Sequence, residues 1–297
     1  MTAITEAHRP IEKGGIRTRP AVTRGFGQSS IEMTAAEALA FEDRGSLPAG
    51  TRVNIPHLAS DTEEQRREAA VTLRAQGLTP VVHVAARRLR GRRELRAFLT
   101  DLHEQNLSQH LFVVGGDPAR PAGPYEAALS VIHTENLGLY GVECVGVAAY
   151  PEGHAKIASA DLWAALQWKI DAIRSQGLRA EIITQVSFDP HAVLGWIEEL
   201  RARGFDDMVR IGLVCDADHD RAVSFAQRLG IRSALALGGP GPSRSATRKL
   251  TEGGFADQVR EGYSSSVHGA VAQHHFTLGS GERTLVLLRA IQFDPIP

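Results

Sequence analysis

A (β/α)8 barrel is the fold class this chain predicts, and three observations predict it. Eight short strand-like runs alternate with helix-like patterns over most of the chain, which implies a parallel sheet. The rival, a doubly wound dinucleotide sheet, should carry G-x-G-x-x-G after an early strand. The nearest string, GGPGPS at 238–243, has prolines where the helix should begin. Polar residues also fall at or just beyond the ends of apolar strands, where barrel active sites gather.

In chain order, the strand candidates are Ser29–Met33, Arg52–Pro56, Pro80–Ala85, His110–Val114, Glu143–Ala149, Glu181–Ser187, Met208–Val214 and Val271–Leu278. Each is rich in β-branched and apolar residues. Between them, Leu95, Phe98, Leu99 and Leu102 repeat at helical spacing, as do Ala222, Phe225, Ala226 and Leu229. Asp61 with Glu64 reads as a capping box, and Asp189-Pro190 as N-cap and first helical residue. Gly77, Gly204 and Gly230 stand where helices should end.

Residues 1–27 are polar and basic without periodicity and read as a solvated tail, so the barrel domain is assigned to 28–297. A transit sequence is the other reading of the tail, weakened by Glu6 and Glu12. A formal charge of −1 supplies no global field toward nucleic acid or membrane. No apolar run approaches a membrane span. Cys144 and Cys215 lie in apolar runs and read as buried thiols, which fits a cytoplasmic protein. There is no G-x-S-x-G elbow, P-loop or H-E-x-x-H string. His274 and His275 are adjacent on a strand, so they face opposite sides and cannot chelate one metal.

Five strings carry a family resemblance: VVHVAA at 81–86, LFVVGGDP at 111–118, VAAYPEGHAK at 147–156, ITQVSFD at 183–189 and QHHFTLG at 273–279. In order and spacing the chain resembles the methylenetetrahydrofolate reductases over roughly residues 28–290. The resemblance implies a barrel that binds FAD and reduces 5,10-methylenetetrahydrofolate to 5-methyltetrahydrofolate with hydride from NADH or NADPH. It implies a place in one-carbon metabolism and methionine biosynthesis, and a homo-oligomer is possible. Such a reaction asks for an acid that assists ring opening, an anion facing the resulting iminium, and a slot for the hydride donor.

By the same resemblance, Glu32 matches the general acid, Asp117 the aspartate that tunes the flavin and faces the pterin, and Gln185 the amide that reads the pterin edge. The alternative for Glu32 is a carboxylate capping the helix that follows. Asp117 alternatively forms an Asp-Pro turn, and Gln185 is alternatively a satisfied core amide. Asn54, His83, Gly116, Ala149, Tyr150, His154, Asp161 and Lys169 match flavin contacts. Of these, His83 is alternatively a structural histidine, His154 a loop-backbone partner, and Asp161 and Lys169 solvated helix charges. Phe276 and Leu278 match folate or nicotinamide contacts.

The departures are as informative. Gly115 stands where the family has an arginine on the flavin pyrophosphate, so a flavin-free reductase with direct hydride transfer is an open alternative. The arginine-rich RRLRGRR at 87–93 is either a solvated loop or a landing area for a polyglutamate tail or a dinucleotide phosphate. Two rival functions remain: a folate- or nucleotide-binding barrel without turnover, and another folate-dependent barrel enzyme such as a methyltransferase.

Overall fold

The structure is a computed structural model that describes residues 28–42, 47–214, 224, 226–227, 231–233 and 254–277. The basic tail, GGPGPS, Ala222, Phe225, Leu229, Gly230, Cys215 and Leu278 lie outside the described residues. Eight parallel strands close on themselves in sequence order: β1 (Ser30–Glu32), β2 (Arg52–Ile55), β3 (Thr79–Ala85), β4 (His110–Val114), β5 (Cys144–Ala149), β6 (Arg179–Thr184), β7 (Met208–Val214) and β8 (Val271–Phe276). All eight expected strands are present, and β8 pairs back onto β1 to remove every edge. β6 starts and ends earlier than its apolar run suggested, because Val186 and Phe188 leave the sheet for a small cluster with Val214, Ala226 and Ile231.

The helices described are α1 (Ala35–Ala40), α2 (Glu63–Ala75), α3 (Arg92–Glu104), α4 (Ala128–Thr134), α5 (Ser159–Ser175), α6 (Pro190–Ala202), α7 (Phe255–Gly262) and α8 (Ser265–His268). Leu95, Phe98, Leu99 and Leu102 are the buried stripe of α3, as their spacing predicts. Asp189 caps α6 through Ala192 N–H, with Pro190 at its first position. The capping box of α2 is Thr62 with Gln65, one residue beyond the expected Asp61 and Glu64. The Thr62 hydroxyl accepts from the Gln65 N–H, and the Gln65 side-chain carbonyl accepts from the Thr62 N–H. Gly77 and Gly204 take positive φ just past α2 and α6.

Two apolar layers result. The larger core lies between sheet and helices, from Ile31, Val53 and Val82 out to Leu73, Leu99 and Ile197. A smaller cluster of Val81, Phe112 and Ile183 fills the barrel interior. Below it, Glu181 of β6 joins Arg52 of β2 and Arg210 of β7 in a buried ion triad. The C-terminal end of the barrel is therefore the open one.

Candidate active site

The strand register assembles the mouth from residues far apart in sequence. Glu32 ends β1 and is the ladder partner of both Asn54 on β2 and Phe276 on β8. Parallel-strand partners share a face, and residues two apart do so too. His83 on β3 thus joins the same inner surface, two residues beyond Val81, the partner of Asn54. His83 Nε2 lies 3.2 Å from Asn54 Oδ1 and 3.9 Å from Glu32 Oε2. The imidazole also stands edge-on to Phe112, with ring centroids 4.7 Å apart.

The electrostatics of this group are unusual. The Glu32 side chain keeps 22% of its surface accessible, yet burial and the nearby Glu37 carboxylate raise its pKa from 4.5 to about 8. Glu32 is therefore a carboxylic acid at neutral pH. It does not cap the following helix: Thr34 does so, in a capping box with Glu37. Burial, Arg66 and His57 lower the pKa of His83 to about 3, leaving a neutral imidazole beside a neutral carboxyl.

Asp117 stands elsewhere. It lies on the loop after β4, its side chain 80% exposed, and it accepts a 2.7 Å hydrogen bond from Arg88 Nη2. The structure thus places it on the rim in an ion pair rather than against Glu32. Gly116 beside it has φ +89°, and a Cβ there would stand 3.2 Å from that of Ala85, so glycine lets this loop lie against the end of β3.

The arginine-rich segment is largely occupied by internal partners. Arg87 donates to the carbonyls of Pro118, Ala119 and Glu126, and Arg88 pairs with Asp117. Arg90 pairs with Glu94, and Arg92 joins Arg96 and Tyr125 on the buried Glu135. Four of these five arginines thus have partners within the protein, and Arg87, Arg88 and Arg92 tie the β3 exit to the loop and helix that follow β4.

The β5 exit carries Tyr150 and His154, whose rings meet edge-on at 5.3 Å. Burial raises the Tyr150 phenol above its ordinary pKa. His154 Nδ1 accepts from Lys156 N–H, so that nitrogen is used within its own loop. Glu152 is buried and accepts from the Ser187 hydroxyl and from the Ser233 hydroxyl and N–H. On α5, Asp161 is exposed while Lys169 Nζ donates to the Ala148 carbonyl at 3.1 Å. Burial lowers the Lys169 pKa to about 8. The two do not form an ion pair. The Ala149 carbonyl accepts from Gln185 N–H at 2.8 Å. The Gln185 side-chain amide, half-buried past the end of β6, makes no hydrogen bond to any described residue. Phe276 at the end of β8 stands edge-on to His274, whose Nδ1 is 2.9 Å from Ser30 Oγ.

Sequence reasoning missed two residues beside this group. His57, just after β2, accepts from Ala85 N–H at 3.4 Å, and burial with Arg66 and Arg88 lowers its pKa to about 3. Arg66 is buried on α2, donates to the His83 carbonyl at 2.9 Å and lies over the Phe98 ring at 4.5 Å. A histidine following Asn54-Ile55-Pro56 at a strand end was a signal for the first; an arginine within the charged run EEQRRE gave none for the second. Among the described residues, no group of His, Cys, Asp and Glu side chains is arranged to hold a metal ion.

No family model matches the chain. Its architecture recurs in solved structures at low identity. An uncharacterized protein from Clostridium thermocellum that binds two copies of 5-methyl-5,6,7,8-tetrahydrofolic acid is 14% identical, with a TM-score of 0.62 over 90% of this chain and 95% of that one. Dihydropteroate synthase from Thermus thermophilus is 13% identical, with a TM-score of 0.40 over 91% and 95% of the two chains. At 14% identity the likeness to the Clostridium thermocellum protein bears on the fold alone, and with the closed eight-stranded sheet it makes this chain a single (β/α)8 barrel.

Proposed function

We propose that this barrel is a folate-dependent reductase that converts 5,10-methylenetetrahydrofolate to 5-methyltetrahydrofolate with hydride from NADH or NADPH. The observation that carries the reading is Glu32, a carboxyl at the mouth that keeps its proton at neutral pH beside an uncharged imidazole. A carrier without turnover has no use for such a group. The five strings shared with methylenetetrahydrofolate reductases point to the same chemistry, and a barrel of this fold binds 5-methyl-5,6,7,8-tetrahydrofolic acid.

Glu32 gives its proton to N10 as the C–N10 bond of the five-membered ring breaks, leaving an N5 iminium. The Glu32 carboxylate, now charged in a poorly hydrated site, faces and stabilises that cation. Hydride then adds to the iminium carbon and completes the methyl group; Glu32 regains a proton from water. Gln185, whose amide offers both donor and acceptor, orients the pterin edge. Asp117, paired with Arg88 on the rim, has no step in this sequence.

FAD, which the resemblance implies, fits these residues poorly. Gly115 supplies no guanidinium, Asp161 is exposed on α5, and Lys169 is engaged by the Ala148 carbonyl. Direct transfer from nicotinamide needs none of these contacts. The test is methylenetetrahydrofolate-dependent NADH or NADPH oxidation by the purified protein, with and without added FAD. Glu32→Gln is expected to fold normally and to lose roughly 100-fold or more of that activity. A fully active Glu32→Gln overturns the assignment of the acid, and activity only with FAD overturns the direct route.

A further inference from the structure

We propose that Gly212 is a positioning residue for the folate: having no side chain, it lets Phe276 and the Gln185 backbone close one wall of the mouth. The proposal rests on the folate reading of that mouth, in which Gln185 takes the pterin edge. It gives a role to a residue that the sequence did not single out.

Gly212 lies on β7 as the ladder partner of His274 on β8, so it faces the barrel interior just below the level of Phe276. The hollow left by its missing side chain is filled from two sides. A Cβ at 212 would stand 3.0 Å from Phe276 Cε2 and 3.1 Å from the Gln185 carbonyl carbon, and would collide with the Thr184 carbonyl oxygen. From one side, then, the Phe276 ring reaches across β7 and packs against the cluster of Val186, Phe188 and Val214. From the other comes the exit of β6. The β6–β7 ladder stops at Ile183 and Arg210, and beyond it the Gly212 N–H donates to the Thr184 hydroxyl at 2.9 Å. On its far side the Gln185 N–H donates to the Ala149 carbonyl of β5 at 2.8 Å. The Gln185 backbone is thus held between β5 and β7, and its side chain continues the inward alternation of Glu181 and Ile183.

The two contacts are not equally yielding. A ring edge gives by a few tenths of an ångström, whereas a carbonyl in a strand exit tied on both sides does not. An alanine at 212 must therefore push the Thr184–Gln185 backbone away from β7 and carry the Gln185 amide with it. Glu32 stays in place, because it lies on β1 with β8 between it and Gly212. The loss falls on binding of the folate and spares the acid.

The experiment titrates the purified protein with 5-methyltetrahydrofolate by calorimetry. In wild type, Gln185→Ala removes one hydrogen-bonding amide and should raise Kd about tenfold. Gly212→Ala should also raise Kd about tenfold, and in that background Gln185→Ala should add less than about twofold, the amide being already out of place. A general weakening of the barrel would instead leave Gln185→Ala its full effect. In turnover, Gly212→Ala should raise KM for methylenetetrahydrofolate about tenfold while kcat changes by less than about threefold. Should Gly212→Ala not fold, Thr184→Val takes its place: it removes the hydroxyl that accepts from the Gly212 N–H and should raise Kd at least about threefold. A wild type that binds no 5-methyltetrahydrofolate overturns the folate reading and this inference together. Wild-type affinity in Gly212→Ala, or in Thr184→Val where that variant stands in, overturns this inference and leaves the folate reading intact. A full tenfold loss from Gln185→Ala in the Gly212→Ala background does the same.

Discussion

Glu32 shows at the scale of one residue how a buried acid weakens the fold that holds it. Its pKa is 4.5 when solvated and about 8 in the folded chain, burial being the larger cause and Glu37 the smaller. Between those values the folded state holds a proton that the unfolded chain has released. Stability is then fully present below about pH 4.5 and declines as pH rises through about 8. The amide introduced by Glu32→Gln cannot ionise and escapes that decline. Glu32→Gln should therefore be more stable than wild type at pH 9 by on the order of 5 kcal/mol, at roughly 1.4 kcal/mol per pKa unit, and little different at pH 4. Urea unfolding at the two pH values checks this. An equal stability difference at both would mean that Glu32 is ionised in the folded protein.

At the scale of elements, Arg87 makes the most side-chain bonds that hold the loop after β4, with Arg88 on Asp117 beside it. Arg87, in the 3₁₀ turn Ala86–Arg88, donates to carbonyls at 118, 119 and 126, and its own carbonyl accepts from Ala122 N–H. Arg87→Met should leave those carbonyls to water and make the 116–126 loop an early site of limited proteolysis, while Tm changes by only a few degrees. Wild-type cleavage kinetics in the variant would show that the loop holds itself. Arg87 also marks where sequence reading ends. The barrel was legible because strand and helix periods are local: β4 and β7 fall at their expected bounds, and α3 buries the four residues that its spacing selects. That Glu32 ends β1 and His83 lies on β3 was legible from the strand pattern. Which cation meets which carbonyl was not, because the partners of Arg87 and Arg92 lie about 30 to 40 positions away and their spacing carries no period. RRLRGRR consequently stayed open between a solvated loop and an anion landing area. Asn54 likewise gave a plausible ligand contact in sequence, and only the fold shows its amide facing His83.

At the scale of the whole molecule, the two ends of the barrel divide stability from chemistry. The closed end is tied by Glu181, which accepts from Arg52 and Arg210, while Arg210 also donates to the Gln28 carbonyl at 2.8 Å. Burial alone would raise the Glu181 pKa, but Arg210 and Arg52 outweigh it and hold the group below its ordinary value. Its stabilising charge is present at neutral pH and lost as pH falls through that depressed value. Glu181→Gln strands two cations, one of them the buried Arg210, and should cost about 3–5 kcal/mol with a clear fall in Tm. Glu32 and Glu181 occupy opposite ends of strands on different sides of the barrel and share no partner. Glu181→Gln should therefore leave the Glu32 pKa, and any turnover of methylenetetrahydrofolate, unchanged wherever the variant is folded. The two substitutions together should shift stability by the sum of their separate effects to within about 0.5 kcal/mol. Denaturant unfolding at pH 7 of wild type, both single variants and the double variant measures that sum. A larger coupling, or lost activity in folded Glu181→Gln, would mean that the ion triad sets the geometry of the mouth through the strands.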